Sequence, residues 1–175
     1  MNIEIRVGNK QDIEAIEQLY DGLNDYLEVT VNYPGWKKGI YPTREDAEKG
    51  IVEGTLFVVN DGEEIIGSMI LRYDQEWAFI SEPWQKQLEY SQVLGIYTFV
   101  VKPSRLHKGI GSLMLKFAEE YARGKDIKAL RLDVYEENLP AIKLYEKSGF
   151  RYISTVSLGL EEYGLNWFKL YEKLI

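Results

Sequence analysis

The pattern of hydrophobic and polar positions predicts a strand followed by a helix at the start of the chain. Residues 3–7 (IEIRV) alternate between polar and apolar, as in a strand with one buried face. Across residues 13–27, apolar side chains recur every three or four positions, which is typical of an amphipathic helix. Asn9 and Asp12 stand before this helix with the spacing of a capping pair.

The same reasoning extends to the carboxyl end of the chain. Thr43 and Asp46 have the spacing of a second capping pair and predict a short helix, and Asp61-Gly62 is a turn signal that predicts a β-hairpin. An irregular, aromatic-rich stretch covers residues 74–92, after which we predict a strand at 93–102, a helix at 109–124, a strand at 127–135, a helix from Leu139, and strands at 151–158 and 166–174. The resulting order, βααβββαβαββ, predicts a single α/β domain over residues 1–175 with a mixed sheet.

Composition narrows the classes of protein and site. The 175 residues are 45% hydrophobic and 28% charged, as expected of a folded soluble domain, and no apolar run is long enough for a membrane span. The absence of Cys excludes thiolate metal sites, and one His cannot build a histidine zinc site, so we expect no metal. A net charge of -7 argues against nucleic-acid binding, and the amino terminus lacks signal-peptide features, which favours a cytoplasmic location.

One stretch of the chain favours anions. Although the chain has 28 acidic residues, none lies between Tyr90 and Ala118. In that stretch Gly109 and Gly111 open a predicted helix, whose first amides have no partner inside the helix and whose positive end attracts negative charge. A phosphate or pyrophosphate is the ligand this arrangement predicts. The basic residues of the stretch are Lys102, Arg105, His107, Lys108 and Lys116.

Nucleotide-binding motifs also place glycines at the start of a helix. A nucleotide P-loop is excluded because Lys108 precedes the glycine and nothing matches the required spacing. A dinucleotide fold remains an alternative, because Asp133 lies roughly twenty residues beyond the glycines, where a ribose-binding acid is expected. Against it, the third glycine position is Met114, and several residues separate the strand from Gly109.

Two segments of the chain carry a more specific resemblance. The sequences IYTFVVKPSRLHKGIGSLML and LRLDVYEENLPAIKLYEKSGF resemble the two signature segments of the GNAT superfamily of acyl-CoA-dependent N-acetyltransferases, over about residues 94–124 and 127–150. In the second segment Asn138, Ala141 and Tyr145 stand where the family has them. The resemblance implies acetyl-CoA as the acyl donor, and a mixed, mostly antiparallel sheet with splayed central strands, flanked by helices.

The first signature segment departs from the family in two places. The family usually has Arg or Gln where this chain has Leu106, and usually Gly where it has His107. The resemblance implies that main-chain amides hold the pyrophosphate, and an amide survives a side-chain change. A non-glycine residue at position 107 is tolerable unless the turn requires a positive φ. The amides so implied are those of Leu106, His107, Lys108, Gly109, Ile110, Gly111 and Ser112.

The resemblance also implies how the rest of acetyl-CoA binds. The pantetheine arm pairs with the main chain of the first splayed strand, at Phe99, Val100 and Val101, and passes Asn138 and Ala141 on the following helix. Asn138 is also of a residue type that caps helices, and we expect it to cap this one. For Arg105 and Lys108, assistance to the phosphates and simple solvation remain alternatives.

Tyr145 is the candidate catalytic residue. The resemblance directs its hydroxyl at the thioester sulfur, where a phenol can supply the proton or hydrogen bond that the leaving thiolate needs. The alternative is that its ring only packs the core.

The acceptor side of the reaction is less defined. No spacing selects the general base among the carboxylates and Tyr97. The aromatic side chains of residues 22–42 and 74–92 either form a wall for a cationic amine or pack a domain edge or a homodimer contact. The sequence predicts acetyl transfer to a small-molecule or peptide primary amine by direct attack in a ternary complex. The alternative is a catalytically silent CoA-binding regulatory domain.

Overall fold

The computed structural model describes residues 1–175, and its helices and strands follow the predicted order. No helix combines the length and the apolar character needed to cross a lipid bilayer. The elements are β1 (Ile3–Val7), α1 (Ile13–Glu28), α2 (Arg44–Val52), β2 (Leu56–Asp61), β3 (Glu64–Arg72), β4 (Val93–Val101), α3 (Ile110–Gly124), β5 (Ala129–Tyr135), α4 (Leu139–Lys147), β6 (Arg151–Val156) and β7 (Phe168–Leu174).

The seven strands form one sheet in the order β1-β2-β3-β4-β5-β7-β6. The pairs β1–β2, β2–β3, β5–β7 and β6–β7 are antiparallel, whereas β4 and β5 are parallel. The β4–β5 pairing joins Val93–Gly95 to Ala129–Arg131 and stops there, although both strands continue. This is the separation expected of splayed central strands, and the predicted fold class is confirmed.

Residues cluster into two compact units, and β4 contributes to both. The single domain expected over residues 1–175 therefore stays a prediction, and each unit is described by itself. The first unit comprises Met1–Asn32, Trp36–Leu71 and Tyr97–Phe117, and the second comprises Tyr33–Gly35, Arg72–Ile96 and Ala118–Ile175.

The core of the first unit is built on the predicted apolar face of α1. Both predicted capping pairs form: the Asp12 carboxylate accepts the Asn9 amide at 2.8 Å, and the Asp46 carboxylate accepts the Thr43 amide at 2.7 Å. The first pair caps a short 3-10 turn that leads into α1. Buried side chains of α1 pack against those of the sheet, namely Ile16, Leu19, Tyr20, Leu23 and Leu27 against Leu56, Val58, Ile65, Ile70 and Val100.

In the second unit, a buried ion pair fixes part of the irregular segment 74–92. Arg131 Nε donates to Glu172 Oε2 at 2.7 Å, and both residues are buried. A buried pair needs further hydrogen bonds to offset its desolvation. The Gln85 amide supplies one to Glu172 at 2.8 Å, and the Arg131 guanidinium lies 4.1 Å from the centre of the Trp84 ring. The segment is therefore irregular but anchored.

Candidate functional site

The loop between β4 and α3 exposes main chain just before a helix. A 3-10 turn at Pro103–Arg105 is followed by Leu106 and then by three exposed residues, His107, Lys108 and Gly109. His107 has φ 61° and Gly109 has φ 79°, both in the left-handed region. The turn thus requires a positive φ at position 107, where the family that the two segments resemble usually has glycine.

The amides at the start of α3 are available to a ligand. Leu113 donates its amide to the Gly109 carbonyl at 3.0 Å, so the amides of residues 110–112 precede the first intrahelical bond. The Leu106 amide differs, because it donates to the Pro103 carbonyl at 3.2 Å. The predicted phosphate contact of Leu106 must compete with that bond. The main-chain arrangement from His107 onward suits an anion.

Two basic side chains of this loop are engaged by carboxylates. Arg105 donates to Asp61 and to Glu64 at 2.8 Å each, and Lys102 also pairs with Glu64. The sequence left two alternatives for Arg105, assistance to the phosphates and simple solvation. Neither holds, because its guanidinium is occupied by the two carboxylates. The stretch without acidic residues in sequence has acidic neighbours in space, from the β2–β3 turn.

Replacing His107 with Gly is expected to stabilise the fold. A non-glycine residue in the left-handed conformation destabilises the fold by about 1–2 kcal/mol. Glycine removes this strain, but its greater freedom in the unfolded chain costs about 0.5–1 kcal/mol. We expect the free energy of unfolding to rise by about 0.5–1 kcal/mol in urea denaturation. Lys108→Gly is the matched control, since Lys108 has no positive φ, and it should lower stability. Equal destabilisation by both changes would contradict the strain argument.

The carboxyl half of β4 presents the predicted pantetheine-binding residues. Val100 is buried in the core of the first unit, whereas Phe99 and Val101 are only half-buried. Before them, Thr98 has φ 48°, an outlier for a β-branched residue, and its hydroxyl is hydrogen-bonded to that of Tyr41 at 2.6 Å. No local pattern predicts this contact, because it joins residues far apart in the chain.

Asn138 occupies the N-cap position of α4 but does not cap it. Its side chain makes no capping hydrogen bond, and its backbone has φ -81° and ψ 67°. A capping side chain reaches the first helix amides from an extended backbone, which this residue does not adopt. The prediction that Asn138 caps the helix is therefore wrong. Its side-chain amide is not consumed by α4, and Ala141, one turn on, is half-buried.

Tyr145 lies on α4 with its ring packed against Phe150, the two ring centres 6.0 Å apart. The side chain is 6% exposed. Burial raises the pKa of the Tyr145 hydroxyl, and the negative charge of Asp133 raises it further. The hydroxyl is therefore protonated at neutral pH and able to donate, while the ring also contributes to packing.

Asp133 is a carboxylate of the second unit whose pKa is strongly shifted. It stands on β5 and is half-buried, and burial raises the pKa of its carboxyl to about 7. The charge of Glu76 raises this pKa further, while Arg72 opposes the shift. Arg72 also pairs with Glu76, with Nη2 and Oε1 3.0 Å apart. The sequence marks Asp133 only as the one carboxylate within the apolar strand ALRLDVY, a position that a dinucleotide fold would use to bind ribose.

The sequence model of the acetyltransferase (GNAT) family matches residues 16–150. The chain belongs to this family. The resemblance of the two signature segments is thereby confirmed, and acetyl transfer is the general chemistry that the GNAT family supports.

Solved structures share the GNAT fold along nearly the whole chain. The acetyltransferase of the GNAT family from Streptococcus pneumoniae is 20% identical with a TM-score of 0.72, and the match covers 99% of both chains. The yncA protein of Salmonella typhimurium, solved with its cofactor acetyl-CoA, is 16% identical with a TM-score of 0.66, over 99% of this chain and 94% of that one. At these identities the comparisons establish the fold.

A curated relative matches a shorter segment. Uncharacterized protein YxbD of Bacillus subtilis (strain 168) is 30% identical over 71 aligned residues, and the match covers 35% of this chain and 45% of that protein. The match thus spans less than half of that relative.

Proposed function

We propose that this GNAT protein transfers an acetyl group from acetyl-CoA to a primary amine by direct attack in a ternary complex. Family membership supports acetyl transfer, and the acetyl-CoA bound to the neighbour yncA supports the donor. One observation carries the proposal: the charge of the Asp133 carboxyl, whose pKa is raised to about 7, acts on the buried hydroxyl of Tyr145 in the same unit. Amide formation needs one group that donates a proton and one that accepts it.

Donor binding relies on main chain. The exposed loop at residues 107–109, which is left-handed at His107 and Gly109, and the amides of residues 110–112 suit the negative charge of a pyrophosphate. Leu106 and His107 depart from the family only in their side chains, so the amides of the loop are retained. Lys108 is exposed and adds positive charge.

Pantetheine binding relies on the other predicted residues. The main chain of Phe99–Val101 provides hydrogen-bonding groups, as the family resemblance implies. The Asn138 side chain, which α4 does not use, is available to the pantetheine amides. Ala141 has a side chain small enough for the arm to pass close to α4.

The chemistry follows from the two ionisable groups. An ammonium acceptor first loses a proton to Asp133, directly or through water, and the neutral nitrogen attacks the thioester carbonyl carbon. The carbon–nitrogen bond forms and the carbon–sulfur bond breaks, while Tyr145 donates its proton to the leaving thiolate. Tyr145 recovers a proton from the nitrogen as the amide forms. The products are an N-acetyl amide, CoA and one proton released from Asp133.

The acceptor is a small-molecule or peptide amine. Some of the aromatic residues first considered for it are engaged elsewhere: Trp36 contacts Tyr41 edge to face at 5.3 Å, and Trp84 lies against Arg131. Trp77, by contrast, is 65% exposed. Exposed aromatic residues such as Trp77 remain candidates for a cation-binding wall or for a homodimer contact.

Ligand-dependent stability and CoA release test this function together. Acetyl-CoA should raise the melting temperature, since a ligand at 100 times its Kd stabilises the native state by about 2.7 kcal/mol, and NADH and ATP should do so much less. CoA release should then appear with one class among polyamines, amino acids, aminoglycosides and peptide amino termini. Equal stabilisation by NADH would favour dinucleotide binding. Acetyl-CoA binding without release from any amine would favour the silent regulatory domain.

A further inference from the structure

The turn that precedes the exposed loop is held by carboxylates from elsewhere in the first unit. We propose that Glu64 and Asp61 are positioning residues for acetyl-CoA binding, acting through Arg105 and Lys102. These four side chains are called the hairpin clamp below. The inference rests on the proposed function and adds to it residues that never touch the substrate.

The geometry of the hairpin clamp fixes the turn from both ends. Arg105 donates from Nη1 to Asp61 Oδ2 and from Nη2 to Glu64 Oε2, both at 2.8 Å, so two contacts orient the guanidinium plane. Lys102 reaches the other oxygen of Glu64, so a single carboxylate connects the residues at the two ends of the turn. Asp61 in turn accepts the Asn2 amide at 2.9 Å, which ties the clamp to the start of the chain.

Main-chain contacts support the same arrangement. The Lys102 amide donates to the Ile66 carbonyl of β3 at 2.8 Å, and the Arg105 amide donates to the Lys102 carbonyl at 2.8 Å. Two residues after Arg105, His107 adopts its left-handed conformation. Backbone strain of this kind persists only where the surrounding structure enforces it. The clamp is the side-chain network next to the strained residue.

Charge balance excludes Arg105 and Lys102 as the main source of phosphate attraction. Their two positive charges face the two negative charges of Asp61 and Glu64, and the pKa of the Glu64 carboxyl is lowered by Lys102 and Arg105. The Asn2 amide and Arg105 likewise lower the pKa of the Asp61 carboxyl, so both carboxylates are ionised at neutral pH. A phosphate that used Arg105 would have to displace two carboxylates, whereas residues 107–109 are exposed. The clamp positions the loop, and the amides bind.

The sign of paired substitutions distinguishes positioning from direct phosphate contact. Glu64→Gln and Arg105→Gln should each raise the KM for acetyl-CoA by about three- to tenfold, with kcat changed less than about twofold, as expected for a partly exposed ionic network. Since both residues act through one network, the double variant should resemble either single one. Arg105→Lys should also raise KM, because an ammonium cannot present the same two-armed contact.

Glu63→Gln provides the matched control, because Glu63 is the exposed neighbour of Glu64 and undergoes the same loss of charge. Its KM should stay within about twofold of the wild type. Melting temperatures establish that each variant is folded. If Glu64→Gln tightens acetyl-CoA binding while Arg105→Gln weakens it, Arg105 is a phosphate ligand and the proposal is wrong. If Glu64→Gln behaves like Glu63→Gln, the clamp has no role. A wild-type chain that does not bind acetyl-CoA would instead overturn the proposed function itself.

Discussion

Asp133→Asn is expected to lower kcat/KM by about 10²–10⁴-fold, the usual contribution of a positioned base. Asn has nearly the same shape as Asp but cannot accept the proton of the amine. In the wild type, kcat/KM should rise with pH through a midpoint of about 7, the pKa of the Asp133 carboxyl, because only the ionised form acts as a base. The variant should lose this midpoint. Steady-state rates between pH 5.5 and 9, roughly 1.5 to 2 units either side of the midpoint, measure both effects.

The contribution of Asp133 to the stability of the fold should fall as pH rises, whereas its activity as a base should rise. The Asp133 carboxyl has a pKa of about 7 in the folded chain, whereas in the unfolded chain it has a pKa of about 3.9. The native state therefore binds more protons in this window, so this residue's contribution to stability falls as pH rises from about 4 to about 7. Asp133→Asn removes that loss, and its melting temperature at pH 8 should exceed that of the wild type.

Asp126→Asn is the control for Asp133, because it makes the same change at an exposed residue of the same unit. It should alter neither the rate nor the pH profile. An Asp133→Asn protein with wild-type turnover and an unchanged midpoint would remove Asp133 from the mechanism and return the choice of base to the other carboxylates.

Tyr145→Phe is expected to lower kcat by about 10²–10⁴-fold with little change in the KM for acetyl-CoA. The substitution keeps the ring and its contact with Phe150, so the melting temperature should stay close to that of the wild type. Only the hydroxyl that serves the leaving thiolate is lost. Turnover and thermal unfolding measured on the same preparations separate the chemical role from packing.

The packing alternative for Tyr145 gives a different pattern. If the ring alone matters, Tyr145→Phe should turn over normally, and only Tyr145→Ala should be harmful, through a cavity that costs about 3–5 kcal/mol. Tyr152→Phe removes the same oxygen from an exposed tyrosine and should leave turnover intact. Normal activity of Tyr145→Phe would leave the thiolate to be protonated by water or by the amine.

Much of the fold could be predicted because the signals that specify it are local. The Asn9–Asp12 and Thr43–Asp46 capping pairs join residues three positions apart, and both form as their spacing predicts. Strand and helix order follows from periodicities of two and 3.6 residues, which depend only on neighbours along the chain. The family segments likewise marked the loop before α3 and the helix that carries Tyr145.

The prediction that Asn138 caps α4 was wrong because residue type alone does not decide capping. Its residue type favours capping, but the backbone that decides whether the side chain can reach the first helix amides is set by the way β5 leads into α4. The left-handed φ at His107 could not be predicted from the sequence, because glycine is the residue type that indicates a left-handed position and this chain has His there.

The sequence by itself determined the order of elements, the family and the candidate donor loop, since each depends on residues close together in the chain. The tertiary structure decided which charges are available and how readily they ionise. Arg105 is paired with Asp61, 44 positions away, and the Asp133 carboxyl has its pKa raised by burial and by Glu76. Coulomb interactions and desolvation depend on distance in space and on exclusion of water, and neither is encoded in the spacing of residues along the chain.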